Sequence, residues 1–266
     1  MKDILRPAQR PVLERLARGH SLLAFDYDGV LAPLVTDPRG ARMRPTTRRL
    51  LARLVRDWPC AVVSGRSWAH TRRLSEGVVP TVVGNHGFEL GRPRPAPDAV
   101  LRRVRRWREA LERALAGVPG LYFEDKRSTL AVHYGLERRW RGLEAAVHQE
   151  AARLRGARLV RGKKVLNVIP DHFPNKGDAV RALLRRSRLD AALYAGDDFT
   201  DEDAFAVGMP RVIGVHVGGG PSRAPFRLSG QERIEELLEV LLSLRPAPAR
   251  RPAAPGHPGA SRRRVR

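Results

Sequence analysis

Leu22-Leu23-Ala24-Phe25-Asp26-Tyr27-Asp28-Gly29-Val30 decides how the chain is read. Four apolar residues run straight into an acid, the pattern of a short strand buried on both faces of a parallel sheet. Asp26 and Asp28 lie two residues apart, so extended backbone points both carboxylates the same way. One can then attack phosphorus while the other handles a proton. Alone, the pair is better explained as a solvated turn capping the next helix, so its meaning depends on the rest of the chain.

Working outward, strand and helix alternate. Leu50, Leu51, Leu54, Val55 and Trp58 recur at helical spacing. Cys60-Ala61-Val62-Val63 reads as a second strand stopped by Ser64-Gly65, and Thr81-Val82-Val83 as a third stopped by Gly84. The middle differs. Val100, Leu101, Val104, Trp107, Leu111 and Leu115 predict one long amphipathic helix, followed by strands at 121–126 and 129–134. Leu136, Trp140, Leu143, Val147 and Leu154 predict a second helix, with strands at 157–160 and 165–169 behind it. After Pro170 the alternation resumes, with helices at 176–186, 200–207 and 234–244 and strands at 191–195 and 211–217. Such a pattern predicts a parallel-sheet α/β core interrupted by a small α+β domain. The expected division is 1–95 and 170–245 for the core, 96–169 for the insert, and 246–266 for a disordered Pro/Ala/Arg tail.

In parallel α/β sheets, ligands gather beyond the carboxyl ends of the strands. Three further segments there suit phosphate and metal. Ser64-Gly65-Arg66 offers a hydroxyl, backbone N–H groups and a guanidinium able to make a bidentate contact; an ordinary helix cap explains the tripeptide equally well. Asn175-Lys176-Gly177 opens a helix, where the dipole favours an anion, although a lone Lys there usually faces solvent. Asp197-Asp198-Phe199-Thr200-Asp201-Glu202-Asp203 packs five acids into seven residues, a mutually repulsive cluster that a hard cation relieves. Thr200 as a helix cap accounts for Asp201, Glu202 and Asp203, and leaves Asp197 and Asp198 unexplained.

Composition bounds the alternatives. The chain has 266 residues, is 42% hydrophobic and carries 50 Lys+Arg against 28 Asp+Glu, a formal charge of +22. It can therefore bury a core. Only five of the basic residues are Lys, many Arg lie on polar helix faces, and aromatics make up 6% without alternating with Arg. Specific nucleic-acid binding is not expected, whereas steering of small anions is. No run approaches the roughly 18 apolar residues of a membrane span, and the first residues lead into no signal peptide. A cytoplasmic monomer is the expectation. Cys60 is the single cysteine, which excludes an intramolecular disulfide and a cysteine-based zinc site. His70, His133, His172 and His216 lack zinc spacing and read as structural or hydrogen-bonding residues.

Taken in order, Asp26-x-Asp28, Ser64, Lys176 and Gly196-Asp197-Asp198 resemble the four motifs of haloacid dehalogenase-like phosphatases. Glu124-Asp125-Lys126, His133-Tyr134, Gly84-Asn85-His86-Gly87-Phe88-Glu89 and the run from Gly196 to Phe205 are similar to the trehalose-6-phosphate phosphatase family within that group. The resemblance implies a haloacid dehalogenase-like Rossmannoid core with a parallel sheet and an inserted α+β cap domain. It also implies hydrolysis of trehalose 6-phosphate through an aspartyl-phosphate. Asp26 would be the nucleophile and Asp28 the general acid/base. Ser64 and Lys176 would grip the phosphoryl group, with Arg66 near it. Mg²⁺ would be held by Asp26, the backbone carbonyl of Asp28 and Asp197, with Asp198 in support. Glu124 and Lys126 would contact sugar hydroxyls, with His133 and Asn167 among the substrate-binding residues. The departures fall on recognition. Gly135 follows His133-Tyr134 where the family has Arg, and Asn167 stands where it has a sugar-binding Glu. The loop 171–175 is also longer and bulkier than usual. A different sugar phosphate is the alternative substrate, and a non-catalytic anion-binding module the more distant one.

Overall fold

The computed structural model describes residues 1–35, 40–134, 142–162 and 164–245. Its larger sheet has eight strands. From one edge to the other they are β1 (Lys2–Asp3), β12 (Phe226–Leu228), β11 (Val212–Val217), β10 (Ala191–Gly196), β2 (Ser21–Phe25), β3 (Cys60–Val63), β4 (Thr81–Gly84) and β5 (Glu89–Leu90). Neighbours pair in parallel except β4 with β5. All residues of β2, β3 and β11 are buried, as expected of strands covered on both faces.

Strand alternation sorts the two faces. Leu23 and Phe25 pack with leucines of α1 (Arg10–Arg18), α2 (Pro45–Asp57) and α8 (Ile234–Leu244). Leu22 and Ala24 pack with Ala179, Val180, Leu183 and Leu184 of α6 (Lys176–Ser187) and with Phe205 of α7 (Glu202–Phe205). Each such large apolar side chain contributes roughly 1.5–3 kcal/mol on burial.

Between β5 and α6 the chain builds a second, antiparallel sheet in the order β6 (Tyr122–Asp125), β7 (Leu130–His133), β9 (Val165–Pro170), β8 (Ala157–Gly162). Leu130, Val132, Leu166 and Val168 are fully buried on one face. They pack against Val104, Trp107 and Leu111 of α4 (Asp98–Ala114) and Leu143 and Val147 of α5 (Leu143–Ala151). Residues directly across from one another share a face. The pairs Tyr122–His133, Glu124–Ala131 and Ala131–Asn167 therefore put Tyr122, Glu124, His133 and Asn167 together on the opposite face. Phe88, in the loop between β4 and β5, and Phe173, where the chain returns from the second sheet to α6, stack with centroids 4.0 Å apart and rings 3° from parallel.

The α/β alternation and the helix–strand–strand order of the insert match the expectation from sequence. Several elements did not declare themselves. β1, β5 and β12 have two or three residues, too few for a period to show. α1 buries only Leu13 and Leu16, and α3 (Trp68–Leu74) only Thr71 and Leu74. The helix expected over 200–207 is instead a single 3-10 turn, Phe199–Asp201, followed by the four residues of α7. The expected second helix of the insert is observed from Leu143. Leu136, Trp140, Gly135 and the tail 246–266 lie outside the described residues. Among the described residues no helix is long and apolar enough to cross a membrane.

Candidate active site

The alternation of β2 delivers its first acid to a defined place. Leu22 and Ala24 face α6, and Asp26 carries that parity one step beyond the strand, its N–H still bonded to Ala195 O of β10 (2.8 Å). At the start of α6 a capping box fixes the helix end: Asn175 Oδ1 accepts from the Asp178 N–H (2.8 Å), and Asp178 Oδ2 accepts from the Asn175 N–H (3.2 Å). Lys176 is thereby the first helical residue, and it points inward with 1% of its surface exposed. Its Nζ donates to Asp26 Oδ2 at 2.6 Å and Asp201 Oδ1 at 2.7 Å. The solvent-facing reading of this lysine is excluded.

Asp201 organises the fourth segment. Its Oδ1 also accepts from the Tyr194 hydroxyl (2.6 Å), and its Oδ2 accepts from the N–H groups of Asp197 and Asp198 (2.9 Å each). Its surface is wholly buried. Asp198, not Thr200, caps the turn that follows, its Oδ1 accepting from the Phe199 N–H at 2.8 Å. The turn begins at Phe199, so Thr200 lies inside it and the capping position falls to Asp198. Asp197 in turn lies against Gly29, which sits at φ +73°; any side chain at Gly29 would collide with the Asp197 carboxylate. Only glycine lets the loop after β2 and the loop after β10 close on each other.

Asp26, Asp197 and Asp201 consequently bring one carboxylate oxygen each within 4.8 Å of one another. All three are buried, with Lys176 as a compensating cation. Burial, then the charges of Asp201 and Asp197, push the Asp26 carboxyl well above its usual range against the pull of Lys176. Burial disfavours the Lys176 ammonium, but Asp201 and Asp26 outweigh it and raise its pKa. Three carboxyl groups crowd around one ammonium. An all-oxygen, buried donor set of this kind fits a hard divalent cation. The backbone carbonyl of Asp28 and a supporting Asp198 were expected from sequence beside Asp26 and Asp197; Asp201 is a third buried carboxyl in this cluster that the sequence did not single out for it.

At the tip of β3, Ser64 is buried, and its Oγ accepts from the Arg66 N–H at 3.1 Å. The guanidinium makes its bidentate contact with Asp28: Nε to Oδ2 is 2.6 Å and Nη2 to Oδ1 is 2.7 Å. The loop after β4 is tied to the same segment. The N–H of Asn85 donates to Arg66 O (2.7 Å) and that of His86 to Ser64 O (3.0 Å), with both residues at positive φ. The buried His86 imidazole packs on Gly65, and burial followed by the charges of Lys126 and Lys176 pushes its pKa well down. In the sequence this segment stands out only by its likeness to a family motif, because a buried histidine leaves no periodic signal.

The polar face of the second sheet looks onto these loops. Lys126 Nζ donates to Gly65 O at 3.4 Å, and Asn85 Nδ2 to Ser128 Oγ at 3.2 Å, both bonds crossing between the sheets. Glu124 Oε2 lies 2.9 Å from His133 Nε2 and 3.9 Å from Lys126 Nζ. Burial would raise the Glu124 carboxyl, but the bond from His133 and the charges of Lys126, His133 and Arg66 hold it at about 2. Asn167 is buried, its Nδ2 bonded to Val160 O at 3.4 Å, and Gly162 on the neighbouring strand approaches the Asp198 carboxylate. Of the other histidines, His70 Nε2 sits 3.4 Å from Arg66 Nη1, His172 packs edge-on against Phe173, and His216 bonds Gly219 O.

Acids, a serine and an arginine from the tips of β2, β3 and β10 thus converge with Lys176 from the start of α6, opposite a polar sheet face, an arrangement suited to holding a phosphoryl group. Known proteins agree with it. The trehalose-phosphatase family model matches residues 24–232. The trehalose-phosphate phosphatase of Mycobacterium avium (strain 104) is 36% identical over 253 residues, covering 85% of this chain and 63% of its own. That of Mycobacterium tuberculosis (strain H37Rv) is 34% identical over 247 residues, covering 85% and 62%. The chain therefore spans a little over three-fifths of the length of these relatives. The C-terminal domain of Candida albicans trehalose-6-phosphate phosphatase superimposes with a TM-score of 0.77 over 92% of this chain and 99% of its own, at 23% identity. The fold is that of the haloacid dehalogenase-like phosphatases.

Proposed function

The chain belongs to the trehalose-phosphatase family, and from that premise we propose that it hydrolyses trehalose 6-phosphate to trehalose and inorganic phosphate in two half-reactions on Asp26. In the first, an Asp26 oxygen attacks phosphorus, the bond from phosphorus to the sugar oxygen breaks, and Asp28 gives that oxygen its proton. In the second, Asp28 takes a proton from water, the water oxygen bonds to phosphorus, and the bond to Asp26 breaks. Ser64 and Lys176 hold the phosphoryl oxygens through both steps. Mg²⁺ suits the carboxylates of Asp26 and Asp197 with the backbone carbonyl of Asp28, and Asp198 beside them. When bound it offsets the charge of the phosphoryl group. Asp201 keeps Lys176 aimed at Asp26.

We also propose residues 1–95 and 170–245 as one core domain and 96–169 as a cap, with Glu124, Lys126, His133 and Asn167 reading the sugar. A cytoplasmic monomer is part of the same proposal, and light scattering tests the monomer. The observation that carries the function is the buried contact of Lys176 with Asp26 beside Asp197 and Asp201. Phosphate release measured over a panel of sugar phosphates, with Mg²⁺ and with chelator, tests it. Trehalose 6-phosphate should be the fastest substrate and the chelated enzyme inert; release from none of the panel would end the proposal. Asn167 supports a second reading, the same chemistry on another sugar phosphate, because a neutral amide gives a hydroxyl a weaker bond than a carboxylate does. The same panel decides it.

A further inference from the structure

Arg66 was expected beside the phosphoryl group, yet its side chain is committed elsewhere. Its Nε and Nη2 grip the two oxygens of Asp28 at 2.6 and 2.7 Å, and only 12% of its side chain is exposed. Its backbone is held on both sides, the N–H by Ser64 Oγ and the carbonyl by the Asn85 N–H. His70 Nε2 approaches its remaining Nη1 at 3.4 Å. Asp28, by contrast, sits in a tight turn whose backbone bonds run from Gly29 to Ala32 and from Ala32 to Tyr27, and these leave its side-chain direction open. A bidentate arginine fixes both the position and the plane of a carboxylate. We propose that Arg66 is a positioning residue for Asp28, aiming that carboxylate at the sugar oxygen in the first half-reaction and at water in the second, and is not a phosphate-binding residue. This role rests on the two-step reading of Asp26 and Asp28 above.

The role has a signature that simple destabilisation lacks. A p-nitrophenyl leaving group needs no proton from an acid, whereas a sugar alkoxide does. Displacement of water onto the phosphorylated Asp26 needs Asp28 in either case. The experiment is rapid mixing of wild type, R66Q and R66K with p-nitrophenyl phosphate and with trehalose 6-phosphate, in Mg²⁺. R66Q should release about one nitrophenolate per active site in a fast first turnover, then turn over about 10²-fold more slowly than wild type, the scale of a lost general base. With the sugar phosphate it should show no such burst and be slow from the start. R66K keeps the charge but loses the two-pronged grip, so it should show the same burst with an intermediate steady rate; it carries the test if R66Q does not fold. Equal slowing of burst and steady turnover, or a rise in KM with kcat unchanged, would overturn the positioning role and return Arg66 to phosphate binding. Wild type that releases no phosphate from either ester would overturn the underlying two-step reading and this role with it.

Discussion

The two sheets hold their polar residues in opposite ways. In the eight-stranded sheet the central strands β2, β3 and β10 are built almost wholly of apolar residues, and their polar side chains appear where they stop, at Asp26, Ser64 and Asp197. In the four-stranded sheet polar groups lie within the strands or directly after them, Glu124 and Lys126 at β6, His133 on β7 and Asn167 on β9, spread over one face. A strand tip in a parallel sheet is anchored by neighbours on both sides, which suits groups that must meet one atom to within a fraction of an ångström. A sheet face presents side chains at regular spacing, which suits the many hydroxyls of a sugar. Variants at the tips should therefore change kcat, and variants on the face should change KM.

The sharpest break would come at Asp26. Asp26→Asn should reduce turnover to the assay background while thermal melting stays cooperative; retained phosphate release would remove the distinction altogether. Lys176→Met comes next. Loss of a charge aimed at the reacting group typically costs about 10²–10³-fold in kcat. The variant should also melt lower, because Asp26 and Asp201 remain buried without their ammonium. On the opposite side, Glu124→Gln should raise KM about 10-fold, the scale of one charge-assisted hydrogen bond, with kcat within about 2-fold. A Glu124 variant that lost kcat as heavily as Lys176→Met would mean that the face takes part in the chemistry.

Two solution effects sharpen the contrast further. Mg²⁺ at about 100 times its dissociation constant should stabilise the folded chain by about 2.7 kcal/mol, seen as a melting temperature that rises with metal and falls with chelator. In Asp26→Asn the rise should shrink. Acid should act on the other sheet. The Glu124 carboxyl is held at about 2 against an ordinary 4.5. Its contribution is thus fully present above about pH 4.5 and is lost as pH falls towards 2. Melting curves over that range should decline less in Glu124→Gln than in wild type. This is the smallest effect of the set, since the Glu124 side chain is 36% exposed and partly screened.

The same contrast explains what the sequence disclosed. Strand ends in the core were legible because an apolar run stopped by an acid or by Ser-Gly is a local signal, and Asp26, Ser64 and Asp197 all carry one; Lys176 announced itself only as the opening residue of a helix. The partners of those residues were not legible. Asp201 looked like helix-capping charge until Tyr194, Lys176 and two N–H groups were found around it. Arg66 and Asp28 are 38 positions apart, and nothing local announces that they pair. His86 and Asn85 depend on a left-handed turn that the sequence disguised with two non-glycine residues. Pairings between loops are tertiary facts, and composition or period carries no trace of them.

The chain returns from the smaller sheet through the segment between β9 and α6, and there Phe173 stacks ring on ring with Phe88 of the loop between β4 and β5. Phe173 belongs to the segment 171–175 that stood out in the sequence as longer and bulkier than usual. The stack ties the loop after β4 to the segment that leads into Lys176, and it lies beside the two hydrogen bonds, Lys126 to Gly65 and Asn85 to Ser128, that also join the sheets. Losing either ring would leave the other without its partner and slacken the join on which the register between Asp26 and the polar face of the smaller sheet depends.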